Sequence, residues 1–204
     1  PTNFCDLKAF GNNNFIKELD DLGLVLNWLK NSKELEGEID NSNISLFGHS
    51  RGGSIAMLKA GEDNRIKKII SWASPSNFLD RLPKGKKLAK WKELGLVYIY
   101  NTRTKQNMPM YFQFYESCIK YSNRLNIQDS ICRMNIPHLL VHGSMDTNVQ
   151  LNDANNIKSW NINTNLHIIE GANHVFGGFH PYDLDKFPND LQEAIDVTIK
   201  FLKG

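Results

Sequence analysis

Apolar positions along the chain keep two rhythms, and their alternation predicts the fold. Phe15, Leu19, Leu22, Leu26 and Leu29 recur at helical spacing, and Val25 and Trp28 widen the stripe. A helix is therefore expected over about 14–30, capped by Asn13 or Asn14 and ended by Asn31-Ser32. Short, mostly apolar runs read instead as strands: Ile44–Phe47, Ile66–Ala73, His138–His142 and Leu166–Ile169, the first and third of them buried. A helical pattern runs to about Ala60 between the first two, and Gly61-Glu62-Asp63-Asn64 turns the chain back. Strand, helix and strand with a short return make a βαβ unit, so these two strands should run parallel. Helices are expected over about Leu151–Ser159 and after Pro188, where Leu191, Ala194, Ile195, Thr198 and Leu202 share one face.

Two stretches carry no such rhythm, and a third breaks it. Residues 1–14 are polar and read as irregular, and Lys33–Asn43 is a charged, Asn-rich connection. Ser74–Arg133 contains Pro75, Pro83 and Pro109 and two aromatic clusters, Trp91 with Leu96–Tyr100 and then Tyr111–Tyr115. It reads as a cap or lid inserted at about 75–133, partly helical, over the carboxyl edge of the sheet. Its aromatics either close a small core of their own or line an apolar acyl or aryl pocket.

The stretch that organises the rest is Gly48-His49-Ser50-Arg51-Gly52-Gly53, at the end of the first strand and the start of its helix. Gly-x-Ser-x-Gly gains meaning from this strand–turn–helix setting. A serine hydroxyl is a weak nucleophile; it must be exposed, beside a base and near backbone N–H donors. A sharp turn exposes it and strains its backbone, so its neighbours must be small. Gly48 and Gly52 are expected to let the chain pass close to itself, and Gly53 to let the helix pack on the sheet. The plain alternative is a Gly-rich turn with a helix-capping serine.

Such a serine needs a base, and the base an orienting acid. Asp146 in Gly143–Thr147 and His174 in Glu170–His174 each follow a predicted parallel strand, as Ser50 does. Loops at those strand ends converge on one edge, where open parallel sheets hold their ligands. His174 would take the Ser50 proton, Asp146 would fix its tautomer, and the Arg51 backbone N–H would stabilise an oxyanion. Asp153 is a poorer acid because it lies inside the next helix, and Asp146 could be a mere turn residue. His180 is the rival base, farther down its loop and before Pro181. His142 reads as structural yet able to hydrogen-bond near the site, His49 as an elbow packing residue, and His138 and His167 as strand residues.

The totals narrow the class. With 204 residues the chain can bury one domain's core, and a net charge of +2 leaves no nucleic-acid footprint. The basic cluster Arg81, Lys84, Lys86, Lys87, Lys90 and Lys92 reads as a solvated face. Cys5, Cys118 and Cys132 are scattered and odd in number, so no disulfide framework or zinc site is suggested. Reduced thiols favour the cytoplasm. No apolar run reaches membrane-span length, and no metal or cofactor motif is present. The chain opens on Pro1, so the lack of a signal peptide says little.

Gly48–Gly53, His142-Gly143-Ser144-Met145-Asp146 and Gly171-Ala172-Asn173-His174 together resemble the α/β-hydrolase superfamily, most closely dienelactone-hydrolase-like and prolyl-oligopeptidase-like serine esterases. The resemblance extends from the first helix onward. It implies an α/β-hydrolase fold, a mostly parallel sheet flanked by helices, in one domain over 1–204 with the cap insert. It also implies Ser50, Asp146 and His174 as catalytic residues, with Arg51 as oxyanion donor and no cofactor. The expected activity is that of a carboxylesterase on small or medium acyl or aryl esters. An acyltransferase or peptidase using the same triad, and a non-catalytic binding module, are the alternatives. Such folds also carry strands before the nucleophile strand and a loop bearing a second oxyanion donor, and nothing in residues 1–43 reads as either. The expectation is of the C-terminal part of a longer fold, or of an N-terminal part supplied otherwise, with the chain weakly active or inactive alone. Neither substrate identity nor oligomeric state is encoded in these motifs.

Overall fold

A computed structural model describes residues 3–204; Pro1 and Thr2, the start of the expected irregular segment, lie outside the described residues. The chain forms α1 (Leu7–Gly11), α2 (Phe15–Asn31), β1 (Ile44–His49), α3 (Arg51–Glu62) and β2 (Ile66–Trp72). There follow α4 (Gly85–Leu94), β3 (Leu96–Asn101), β4 (Gln106–Tyr111), α5 (Gln113–Lys120) and α6 (Ile127–Arg133). The chain continues with β5 (His138–Gly143), α7 (Leu151–Trp160), β6 (Thr164–Ile169) and α8 (Asn189–Lys203). These elements fall into two compact units, one of Pro1–Asp21 with Phe78–Leu125 and the other of Leu22–Asn77 with Asn126–Gly204.

The second unit carries a four-stranded sheet in the order β1-β2-β5-β6, parallel at every pairing. The predicted βαβ unit is its β1, α3 and β2. Side chains alternate between the faces of each strand. Ile70, Trp72, Leu139, Val141 and Ile169 build a core on one face with Ala194, Leu191, Ile195 and Phe201 of α8. Each such fully buried aliphatic side chain stabilises the fold by roughly 1.5–3 kcal/mol. The other face takes α3 against β1 and β2 and α7 against β5 and β6. β5 is buried at every residue, as its apolar centre Leu139-Leu140-Val141 predicts. His138 is a polar group on that strand, satisfied by Ser71 Oγ at 2.7 Å on β2 and Thr164 Oγ1 at 3.1 Å on β6.

The first unit pairs β3 with β4 as an antiparallel hairpin, from Leu96 opposite Tyr111 to Asn101 opposite Gln106. Its aromatics close a core: Trp91 is buried against Phe112 and Tyr115, and its indole N–H donates to the Met110 carbonyl at 3.0 Å. Phe15 stacks on Phe78 and meets Phe114 edge-on.

Three expectations are corrected. Residues 1–14 are not wholly irregular, because Asp6 accepts from the Ala9 N–H at 2.8 Å and caps α1. The segment read as a partly helical insert contains the hairpin as well as helices, and residues 126–133 group with the parallel sheet. Val25 and Trp28 do not extend the buried stripe of α2; both are about half exposed, whereas Phe15, Leu19 and Leu26 are buried. Among the described residues no strand precedes Ile44.

Candidate active site

The turn between β1 and α3 has the strain its sequence implies. Ser50 sits at φ 54°, in the left-handed region that a non-glycine residue rarely occupies. Its N–H donates to the Trp72 carbonyl of β2 at 2.7 Å, and its carbonyl accepts the Gly53 N–H at 3.0 Å to start α3. A Cβ on Gly48 would stand 2.3 Å from the Gly52 carbonyl carbon and oxygen, so only glycine fits. One at Gly53 would stand 3.0 Å from Ser71 Cβ, which is how α3 lies close on the sheet. Gly52 is a correction: a Cβ there would meet nothing within 4 Å, so the close approach depends on Gly48 and Gly53. The serine side chain does not cap α3.

Its hydroxyl instead donates to His174 Nε2 at 3.0 Å, and His174 Nδ1–H donates to Asp146 Oδ2 at 2.7 Å. A carboxylate beside Nδ1 holds the proton on that nitrogen and leaves Nε2 as an acceptor. The structure thus brings Ser50, Asp146 and His174 together. The Arg51 N–H lies in the first turn of α3, where backbone donors favour developing negative charge.

Asp146 is tied down on both oxygens. Oδ1 accepts the N–H groups of Asn148 at 2.8 Å and Val149 at 2.9 Å, while Oδ2 serves His174. Burial pushes the carboxyl pKa up, but the Val149 N–H, the His174 ring and the Asn148 N–H outweigh it and hold the pKa below the usual aspartate value. The acid stays ionised and oriented. The acid and histidine loops are also laced together, by Met145 N–H on the Ala172 carbonyl at 3.0 Å and Gly171 N–H on Ser144 Oγ at 2.9 Å.

His49 does more than pack. Its Nε2–H donates to the His174 carbonyl at 2.8 Å, fastening the histidine loop to the elbow. Burial lowers its pKa against the His174 hydrogen bond, which favours the neutral donor form. Sequence placed His49 in the elbow, but a backbone acceptor 125 residues away has no local signal. His142 is fully buried, donates to the Val149 carbonyl at 3.0 Å and stands 3.6 Å from Asp146 Oδ2. The rivals lie elsewhere. Asp153 accepts the N–H and hydroxyl of Ser76, and His180 is exposed before Pro181, while the strand residue His167 pairs with Glu193. Among the described residues no cluster of His, Cys, Asp or Glu could hold a metal ion, and no helix is long and apolar enough to cross a membrane.

Comparison with known proteins agrees with this architecture. The prolyl oligopeptidase family model matches residues 8–187. The fold is similar to Est1E from Butyrivibrio proteoclasticus with ferulic acid bound, at TM-score 0.69 and 18% identity, over 95% of this chain and 70% of that one. It is similar to a monoacylglycerol lipase from Paleococcus ferrophilus at TM-score 0.67 and 14% identity, over 94% and 76% of the two chains. It is also similar to the esterase domain of a Rhodothermus marinus protein at TM-score 0.54 and 21% identity, covering 85% of this chain. The chain spans 65% of that domain's length. No curated protein matches in sequence.

Proposed function

The chain belongs to the prolyl oligopeptidase family of α/β-hydrolases, and from that premise we propose that it cleaves small or medium acyl or aryl esters through an acyl-enzyme on Ser50. The observation that carries the reading is the unbroken hydrogen-bond run from Asp146 through His174 to the Ser50 hydroxyl, at 2.7 and 3.0 Å. In the proposed first step Ser50 Oγ attacks the ester carbonyl carbon while its proton passes to His174 Nε2. The carbonyl oxygen becomes an oxyanion that the Arg51 N–H stabilises. Collapse breaks the bond to the alcohol, which leaves with the His174 proton. Water then gives its proton to His174 as it attacks the acyl-enzyme, and Ser50 is regenerated as the carboxylic acid departs. Asp146 stays ionised throughout and stabilises the imidazolium.

Labelling with a fluorophosphonate, read by mass spectrometry, tests the nucleophile directly. Labelling needs an activated serine but no hydrolysis of an acyl-enzyme, so it reports the nucleophile apart from turnover. An adduct on Ser50 that Ser50→Ala abolishes, with ester turnover falling by ~10⁴-fold or more, is the expected result. No adduct, or an adduct elsewhere, removes Ser50 as nucleophile. Feruloyl and short-chain acyl esters head the substrate panel, since a solved neighbour holds ferulic acid. A second reading, a peptidase, is favoured by the family match itself; faster turnover of peptide amides than of matched esters would select it.

A further inference from the structure

The basic cluster read as a solvated face lies beside an apolar cleft. Lys87, Lys90, Trp91 and Leu94 fall at i, i+3, i+4 and i+7 of α4, so they share one face of that helix. Opposite them stand Leu96, Val97 and Tyr98 of β3, and with Pro83 these residues enclose a cleft of about 640 Å³. That size suits a small organic ligand. Leu94 and Tyr98 are 57% and 64% exposed, so the apolar lining opens to solvent at these two side chains, while Trp91 forms its buried base.

The charge is as uneven as the polarity. Between Asp80 and Lys92 six basic side chains face one acid, while the whole chain carries +2, so the remainder is net acidic by 3. Lys84 leans toward Asp80 at 4.0 Å, but Lys87 and Lys90 have no ion-pair partner among the described residues. An apolar floor with two unpaired ammonium groups on one side matches a ligand of one shape: an apolar chain ending in an anion. Two lysine ammonium groups act as point charges that can each pair with an oxygen of a carboxylate head. A concave wall suits one chain better than a bilayer surface.

We propose that the cleft between α4 and β3 binds a single-chain amphipathic carboxylate, its chain along Trp91, Leu94, Leu96 and Tyr98 and its head paired with Lys87 and Lys90. The site is built from the first unit alone and stands whether or not Ser50 is a nucleophile. Calorimetric titration of the full chain with monomeric dodecanoate, below its micelle concentration, tests it. The expected result is saturable one-to-one binding that Ser50→Ala leaves unchanged. The double variant Lys87→Glu/Lys90→Glu should weaken binding at least tenfold, and Leu94→Asp, at an exposed position that folding tolerates, should do the same. Dodecyltrimethylammonium, with the same chain and the opposite head, should not bind. Equal affinity for both heads, unchanged affinity in both variants whose circular dichroism is native, or binding to phosphatidylglycerol vesicles with none to dodecanoate would each overturn the proposal.

Discussion

Ser50 and Asp146 leave strands of opposite character. β1 has one neighbour in the sheet of the described residues and is half-buried along most of its length; β5 lies between β2 and β6 and is buried throughout. The two arms of the site are accordingly fixed by different forces. On the edge strand, exclusion does the positioning: the missing Cβ of Gly48 lets the elbow close, and the strained Ser50 backbone is held by one hydrogen bond to β2. On the buried strand, a full set of donors grips both oxygens of Asp146. Gly143 at the end of β5 adds contact, since a Cβ there would stand 2.3 Å from the Ala172 carbonyl oxygen. On the proposed mechanism a nucleophile must face solvent and cannot be caged by partners; a carboxylate that never leaves its place can be.

The largest expected effect breaks the caged arm. Asp146→Asn replaces two acceptors with one. If the amide oxygen takes the Asn148 and Val149 N–H groups, its NH₂ faces His174 and drives the ring proton to Nε2, where it can no longer accept from Ser50. If the amide turns round, the N–H groups of Asn148 and the buried Val149 lose their bond to this side chain. Ester kcat should fall ~10⁴-fold, and fluorophosphonate labelling should slow in parallel; a kcat within tenfold of the wild type would refute this account. The excluded arm should fail more softly. Gly48→Ala must push the elbow backbone aside, and a shift of ~1 Å costs ~10²-fold in turnover. Gly52→Ala, whose Cβ meets open space, should leave both labelling rate and urea midpoint nearly unchanged. Equal losses from the two alanines would mean that the approach of Gly48 to Gly52 is not what shapes the turn.

Much of the parallel unit was legible because its order is local. Each strand centres on a short apolar run, and each site loop follows one directly, so Ser50, Asp146 and His174 could be placed before any contact was known. The first unit hid its order. Leu96–Tyr100 is a run without alternation, and β4 contains Pro109, which argues against a strand yet pairs opposite Tyr98 at a hairpin position that needs no N–H. α1 is too short to show a period and exists through its Asp6 cap. What fixes the N-terminal stretch beside the hairpin is non-local: the Phe4 N–H and carbonyl both bond to the Gln106 side chain. Val25 and Trp28 mark another limit, since a wide apolar stripe does not say which of its margins is covered. The hydrogen bond from His49 to the His174 loop was hidden for the same reason.

The caged strand also carries a pH-dependent cost. His138 is fully buried on β5, and burial pushes its pKa down to about 3, from an ordinary 6.5. The sign follows from which state binds the proton. Above 6.5 neither state is charged and the stability is complete. As pH falls toward 3 the unfolded chain gains a proton that the folded chain refuses, so stability drops by ~1.4 kcal/mol per pH unit. Between pH 6.5 and 5 that amounts to about 2 kcal/mol. Burial also lowers the His49 pKa, which adds loss in the same direction. Asp146, with its pKa depressed, loses its contribution only as pH falls below the ordinary 3.8, outside that window. Urea midpoints at the two pH values measure the slope. His138→Gln, whose amide can serve both Ser71 and Thr164, should flatten it; a slope unchanged by the substitution would assign the loss elsewhere.

The smallest expected effect lies where the two arms are joined. His49 belongs to the excluded arm and donates to the His174 carbonyl, so it ties the histidine loop to the elbow without touching the reacting atoms. His49→Phe keeps the ring and removes the donor. The loop then keeps its bonds to the acid side, through Ala172 and Ser144, but loses its bond to the nucleophile side. Ester kcat should fall about tenfold with KM nearly constant, because the Ser50–His174 distance, rather than substrate contact, is what loosens. His49→Gln, which restores an N–H at comparable reach, should recover most of the loss. If Phe and Gln lower kcat alike, the imidazole acts through its shape, and the two arms are joined by packing. If Gln alone recovers, a single donated hydrogen bond holds the arms in register.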